Sequence, residues 1–351
     1  MRSPRGRAGE TRIRYRQSTS MPTTSESSAG EQVRPGDRQR ISRFSTQKEA
    51  SGMSRVGWIG LGTMGARMAK NVLRAGYSLV ANDVDKAAAK NMPKEGVEFV
   101  ATPKEVASKV DILLLSLPDS PEVLEVATGA DGIMAGAHDG LIVLDTSTVA
   151  PSTPQRLAKE FAPHGVVWLD TPVSGGPNGA EAATLTIMVG GDKAAFDRAR
   201  PILAAMGKNV EYMGASGMGA TTKIVNNFAA GINIIAVSEA FTLGVKAGID
   251  PARLFEVLRT SSSGSWVMEN LIPGVVLTNR LTEEPAPRFA LRLMHKDLRL
   301  AVATASALKV PFAAGTLAEQ MFAIAEGQGW GNRDHMSVIN LYADYVGIKR
   351  W

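Results

Sequence analysis

Val56-Gly57-Trp58-Ile59-Gly60-Leu61-Gly62-Thr63-Met64-Gly65 is the stretch on which the reading of this chain turns. The apolar run ending at Ile59 is short and bounded by glycine, the pattern of a strand covered on both faces. A glycine-rich turn follows and opens a helix. Gly60 permits the tight turn, Gly62 lets the backbone approach a pyrophosphate, and Gly65 lets the helix pack closely on the strand. Leu61, Thr63 and Met64 complete a loop whose N–H groups, free at the start of a helix, would hold phosphates. A strand-to-helix turn without a ligand fits the same residues, so the chain around it has to decide.

A helical stretch from Ala66 to Ala75 stops at Gly76, a good C-terminal signal. Ser78-Leu79-Val80-Ala81-Asn82-Asp83 then reads as a second strand, ending in an acid about twenty residues past the loop, where a ribose diol would be bound. This is a complete β-α-β unit with its acid in place. Asp83 followed by Val84 points to NAD rather than NADP, because a carboxylate repels a 2′-phosphate and the next position offers no Arg to hold one. The alternative for Asp83 is an acid that merely initiates a turn.

Composition narrows the classes. At 351 residues the chain has room for two domains, and 44% hydrophobic content suits a globular protein. Zero Cys excludes a disulfide framework, thiolate catalysis and cysteine metal sites. The four His form no close-spaced ligand set, so no metal is expected. The apolar runs carry small and polar residues at intervals and are read as falling short of a membrane span.

The net charge of +5 is unevenly placed. Residues 1–52 hold eleven Lys or Arg against five acids, leaving 28 against 29 in the remainder. The part that folds is not basic, and no nucleic-acid partner is expected. Residues 1–52 are rich in Arg, Ser, Thr and Gly and nearly empty of apolar residues, which predicts disorder. Three readings compete: a transit peptide to the mitochondrial matrix, for which Glu10, Glu26, Glu31, Asp37 and Glu49 are too many acids; a basic tail that touches nucleic acid; or a functional start at Met53. The third is favoured, with cytoplasmic residence.

Further strands follow the first unit. Val110 to Pro118 is a third buried strand whose proline ends the ladder at the edge where a dinucleotide would lie. Leu141 to Thr148 repeats the pattern and delivers hydroxyls to that edge. Val166 to Val173 leads into Asp170-Thr171-Pro172-Val173-Ser174-Gly175-Gly176, where glycine N–H groups beside a Ser hydroxyl could cradle a carboxylate or form only a tight surface turn. Thr184 to Gly190 adds another strand.

From Gly217 the composition changes to good helix formers, running to about Ala247 before Gly248. About thirty helical residues would span roughly 45 Å, enough to leave one domain and found another. Lys223 lies near the start among Ala, Thr, Ile and Val, with Asn227 four residues on and so on the same face. A Lys in apolar surroundings loses charge stabilisation and becomes a usable acid or base, unless it snorkels to solvent. The rest reads as helical segments over Pro251–Thr260, Ala290–Leu308, Pro311–Ala325 and Val338–Tyr345. No internal repeat is found. The predicted domains are a disordered leader at 1–52, a dinucleotide-binding unit at 53–216 and a helical unit at 217–351.

These motifs, in this order, resemble the β-hydroxyacid dehydrogenases, the family of 3-hydroxyisobutyrate dehydrogenases and related semialdehyde reductases. Gly60-Leu61-Gly62-Thr63-Met64-Gly65 continuing through Met68-Ala69-Lys70-Asn71 is similar to its GxGxMGxxMAxN segment, and Asp170 to Gly176 to its DAPVSGG loop. Gly217 to Asn227 is similar to its GxGxxxKxxNN helix start, and Lys296-Asp297-Leu298 with Ala301 to its KDLxLA motif. The resemblance covers about residues 55–346. It implies an N-terminal Rossmann domain with a doubly wound sheet and an all-helical C-terminal domain, joined by a long helix. Members are commonly homodimers or homotetramers through the helical domain.

The resemblance further implies Lys223 as the catalytic residue and Asn227 as a substrate contact. Ser174, Gly175 and Gly176 would form the carboxylate site, with Leu117, Pro118 and Thr148 lining NAD. Lys296 would reach the nicotinamide end, and Asp297 and Phe289 would close the pocket. Two departures stand out: Asp334-His335-Met336-Ser337 replaces the usual aspartate-phenylalanine-serine, and His295 precedes the KDL motif. Arg253, Arg259 and Arg288 are candidates to hold a second acidic group. The expected reaction is reversible NAD-dependent oxidation of a small 3-hydroxy carboxylate to its semialdehyde, as in 3-hydroxyisobutyrate dehydrogenase. The alternatives are a reductase of tartronate semialdehyde, succinic semialdehyde/glyoxylate or sulfolactaldehyde, or a non-catalytic dinucleotide-binding module with a basic tail. Imine reductases generally lack the Lys.

Overall fold

The computed structural model describes residues 55–282 and 287–351. The leader and the expected start at Met53 lie outside them. In chain order the first part runs β1 (Arg55–Ile59), α1 (Gly65–Arg74), β2 (Ser78–Asn82), β3 (Val97–Phe99), α2 (Pro103–Ala107), β4 (Ile112–Leu115), α3 (Ser120–Thr128) and α4 (Ile133–Gly136). It continues through β5 (Ile142–Asp145), α5 (Ser152–Phe161), β6 (Val167–Asp170), β7 (Val173–Ser174), α6 (Gly176–Glu181), β8 (Leu185–Gly190), α7 (Lys193–Ala204) and β9 (Gly207–Gly214).

The strands make one sheet in the order β3-β2-β1-β4-β5-β6-β8-β7, with β9 also on β8. From β3 to β6 every pairing is parallel, and β8 turns antiparallel to β6 and β7. The chain therefore switches direction of travel between β1 and β4, the place where a doubly wound sheet binds ligands at its strand ends. β1 is a central strand with four of its five residues buried, as its uninterrupted apolar run requires. Val56 and Trp58 pack beneath α1 and α7 on one face, while Ile59 joins Leu113, Val123 and Leu157 on the other.

The second part begins with α8 (Met218–Lys246), 29 residues or roughly 44 Å of helix. By length and composition α8 is apolar enough to cross a membrane, with a hydropathy of 1.6 over its best window. This corrects the reading that no apolar run reaches that length. In the fold its buried stripe, including Ile234, Phe241 and Gly231, is the wall against which the other helices pack. Those are α9 (Pro251–Thr260), α10 (Trp266–Leu271), α11 (Leu291–Ala307), α12 (Ala313–Ala325) and α13 (Ile339–Val346). α9 is capped by the Asp250 carboxylate on the Arg253 N–H at 3.0 Å, and α10 by Ser265 on Met268.

Candidate active site

The loop between β1 and α1 has the geometry its glycines foretell. Gly60 adopts φ +91°, which disfavours any L side chain. A Cβ on Gly65 would lie 2.0 Å from the Gly60 carbonyl oxygen, so only glycine allows the helix this close to the turn. A Cβ on Gly62 would meet nothing within 4 Å, which leaves the outer side of the loop open to a pyrophosphate. A cavity of about 230 Å³ lined by Gly62, Thr63, Arg67, Lys70 and Asn91 opens there. Asp83 does two jobs: its carboxylate accepts the Leu61 N–H at 2.6 Å and, as a turn-initiating Asp would, the Asp85 N–H at 2.8 Å. Val84 beside it is fully exposed and offers no charge to a 2′-phosphate. These residues fit NAD.

The start of α8 is held from the sheet. Both oxygens of Asp170, at the end of β6, accept N–H groups of the helix start, Gly217 and Ala220, each at 2.8 Å. Burial pushes the Asp170 carboxyl up, against these hydrogen bonds, which favour its charged form. A Cβ on Gly219 would come within 2.3 Å of the Met188 carbonyl on β8, so this glycine is set by close approach. The helix start is thereby clamped between two strand ends, and Lys223 is carried inward.

Lys223 is only 8% exposed. Burial drives its ammonium down to about 8; Asp297 opposes the shift and Lys296 adds to it. It does not snorkel. One turn on, Asn227 is buried and donates from Nδ2 to the Asp297 carboxylate. That leaves the second Nδ2 hydrogen for a ligand. The other Asp297 oxygen lies 3.2 Å from the Lys296 ammonium. Asp297 is 1% exposed, so it orients Asn227 and neutralises Lys296 rather than closing the pocket itself. Lys296 donates to the Pro118 carbonyl at 2.9 Å and the Thr148 carbonyl at 2.6 Å, gripping the loops after β4 and β5 from the helical side. Leu117 donates its N–H to the Ser147 hydroxyl at 2.9 Å. Leu117, Pro118 and Thr148 are thus drawn together at the sheet's switch point.

Ser174 ends β7, paired with Thr186 of β8, and is half-buried. Gly175 and Gly176 follow at φ +133° and +62° with exposed backbone. Asn71 of α1 donates to the Ala180 carbonyl at 2.6 Å, tying the helix of the glycine loop to the helix after Ser174. Phe289 stands before α11 with its ring edge-on to His335 at 5.7 Å, and the His335 N–H backbone donates to its carbonyl. The two departures noted in the sequence are both structural bridges here. His335 supports Phe289, and His295 joins Glu319 at 3.0 Å and Glu326, linking α11 to α12 and the turn beyond it.

Three contributors escaped sequence reasoning: Asp170 as the anchor of α8, Asn71 as the tie to α6, and Asp145 at the end of β5. Each sits inside a quoted motif, yet each acts through a bond to a distant segment that no local pattern reveals.

Comparison with known proteins places both parts of this fold. The NAD-binding domain of 6-phosphogluconate dehydrogenase matches residues 55–214, and the NAD-binding domain of NADP-dependent 3-hydroxyisobutyrate dehydrogenase matches 217–342. A probable mitochondrial 3-hydroxyisobutyrate dehydrogenase of Dictyostelium discoideum is 40% identical over 80% of this chain and 88% of its own length. The 2-(hydroxymethyl)glutarate dehydrogenase of Eubacterium barkeri is 36% identical over 84% of this chain and 97% of its own. Among solved structures, 3-hydroxyisobutyrate dehydrogenase of Mycobacterium tuberculosis with L-serine superposes with a TM-score of 0.74 at 31% identity, covering 82% of this chain and 99% of that one. Likeness of this extent, running through both halves of the site, makes the protein a member of the β-hydroxyacid dehydrogenase family, an NAD-dependent oxidoreductase that acts on the CH–OH group of a hydroxy acid.

Proposed function

We propose that the substrate is a small 3-hydroxy carboxylate with a single acidic group, 3-hydroxyisobutyrate or a close relative, oxidised reversibly to its semialdehyde. The observation that carries this reading is the buried Lys223, tuned to about 8 and one turn from an Asn227 that is itself held by Asp297. NAD, when bound, takes up or returns the hydride. Ser174 and the N–H groups of Gly175 and Gly176 fix the carboxylate. Asn227 donates to the hydroxyl oxygen, and Lys223, neutral, removes the hydroxyl proton as the C–H bond breaks; in reduction the ammonium gives it back.

The arginines favour one acidic group over two. Arg259 is paired with Glu256 at 2.6 Å on the exposed side of α9, where Arg253 is also exposed. The Arg288 guanidinium is taken up by the Asn270 and Gly274 carbonyls at 3.0 and 3.4 Å. A diacid would have to displace these bonds. A dicarboxylate such as 2-(hydroxymethyl)glutarate is therefore a weaker candidate than 3-hydroxyisobutyrate.

Lys223→Ala tests the assignment. Proton transfer of this kind is worth roughly 10²–10⁴ in rate, and the variant is expected to lose that much turnover while still quenching or enhancing NADH fluorescence on binding. Wild-type kcat/KM for oxidation should rise with pH through about 8, and for reduction fall. Turnover within about tenfold of wild type in the variant would remove Lys223 from the mechanism.

A further inference from the structure

Two carboxylates lie side by side beneath the site. Asp145 closes β5 and Asp170 closes β6, and they are register partners across those strands, each 1% exposed. Asp170 is fully engaged by the α8 N–H groups described above. Asp145 is not. One of its oxygens accepts the Ser147 N–H at 2.9 Å, and the other is buried without a hydrogen-bond partner.

Ser147 passes the connection on. Its hydroxyl, near enough to Asp145 to favour the charged carboxylate, accepts the Leu117 N–H at 2.9 Å. Three residues after Asp145, the Thr148 carbonyl receives Lys296, whose other bond goes to Pro118. Leu117, Pro118 and Thr148 form one edge of the crevice, and Asp145 is the group from which that edge is suspended.

We propose that Asp145 is a positioning residue for hydride transfer whose ionised carboxylate holds Ser147, and through it Leu117, along the nicotinamide edge, and whose protonation at the unpartnered oxygen weakens that hold. The inference rests on the function proposed above for its meaning. Its geometry stands apart from that function. The charges facing Asp145 come from two neighbouring elements. Asp170 on β6 disfavours ionisation, and Lys296 on α11 favours it. Burial pushes the carboxyl up to about 7, against the Ser147 N–H and hydroxyl, which favour the charged form.

The test needs no turnover. In cofactor-free protein carrying ¹³C-aspartate, one carboxyl signal should titrate near 7 and vanish in Asp145→Asn. The fluorescence of bound NADH, a measure of how the nicotinamide is held, should change with the same midpoint in wild type. In Asp145→Asn it should stay at the low-pH value throughout. Ser147→Ala removes a hydroxyl that favours the charged form, so both midpoints should move to higher pH. This variant decides the matter if Asp145→Asn does not fold. Fluorescence that ignores pH in this range, or that keeps its midpoint in Asp145→Asn, overturns the proposal, as does an unmoved midpoint in Ser147→Ala. Failure to turn over any 3-hydroxy acid would count against the proposed substrate and leave this titration to be judged separately.

Discussion

Lys223 shows how a single side chain trades stability for reactivity. Its ammonium is charged in the unfolded chain up to about 10.5, whereas burial brings it to about 8 in the folded protein. The folded state therefore binds fewer protons between these values, and stability rises with pH across that window. Below about 8 the buried charge is fully present and costs on the order of 3 kcal/mol. Lys223→Met should accordingly melt above wild type at neutral pH, with the gap closing as pH climbs from 8 toward 10.5. A melting difference that stays constant over that range would show that the ammonium is not the source of strain. A lone Lys among Ala, Ile and Val, four positions before an Asn, singled the residue out in the sequence, but that pattern fits a snorkelling side chain equally, and its catalytic role came through resemblance to the family. Its partners Asp297 and Lys296 came only through resemblance to the family, because seventy positions separate Asn227 from Asp297.

Elements were legible where periodicity or punctuation was strong. Pro251 to Thr260 forms a helix with both ends as read, and the segments at Leu291–Ala307, Ala313–Ala325 and Ile339–Val346 shift by only a residue or two. β9 went unread because its sequence shows no apolar alternation: it is an edge strand, mostly exposed. β3 is three residues long, too short to announce itself. The expected strand over Val166–Val173 breaks at Thr171 and Pro172, since proline cannot donate to a ladder, and resumes as β7, which keeps β8 as its neighbour but leaves β5. The glycine loop invites a paired experiment. Gly65→Ala places a methyl against the Gly60 carbonyl and should lower stability by about 1–3 kcal/mol, taking NADH binding with it. Gly62→Ala meets open space, so its melting temperature should stay within the scatter of a surface change, about 0.5 kcal/mol, while NADH affinity drops at least tenfold. Thermal denaturation and fluorescence titration of both variants check this. Equal destabilisation of the two would mean that the loop glycines serve folding alone.

At the scale of the whole molecule, Lys296 joins Asp170 in bringing the two halves into register. Lys296 leaves α11 to bind carbonyls at the ends of two strands, and Asp297 beside it holds Asn227 of α8. Each half has its own apolar core, so severing this tie should leave both folded. For Lys296→Met we expect a fall in turnover of roughly 10²-fold, the scale of a misplacement of about 1 Å. Hydrogen exchange should quicken around Leu117–Pro118 and Ser147–Thr148 with little change in the β1 and β4 amides. Unaltered protection in those two loops would refute the tie. At this scale the succession of a doubly wound sheet and a helical bundle was legible, but not the antiparallel turn at β8, which follows from pairings that no motif encodes.

The same tie has a consequence for how the protein comes into being. Pro118 and Lys296 are 178 positions apart. At roughly 5–20 residues per second on the ribosome, about 9–36 s pass between the synthesis of one and the other. Within that interval the growing chain, which already carries the glycine loop and Asp83, completes the parallel run of strands at Asp170, and so gains the means to capture dinucleotide. It does not yet have the lysine that binds the Pro118 and Thr148 carbonyls. A nascent chain of this enzyme can be steadied by its cofactor before it can use it.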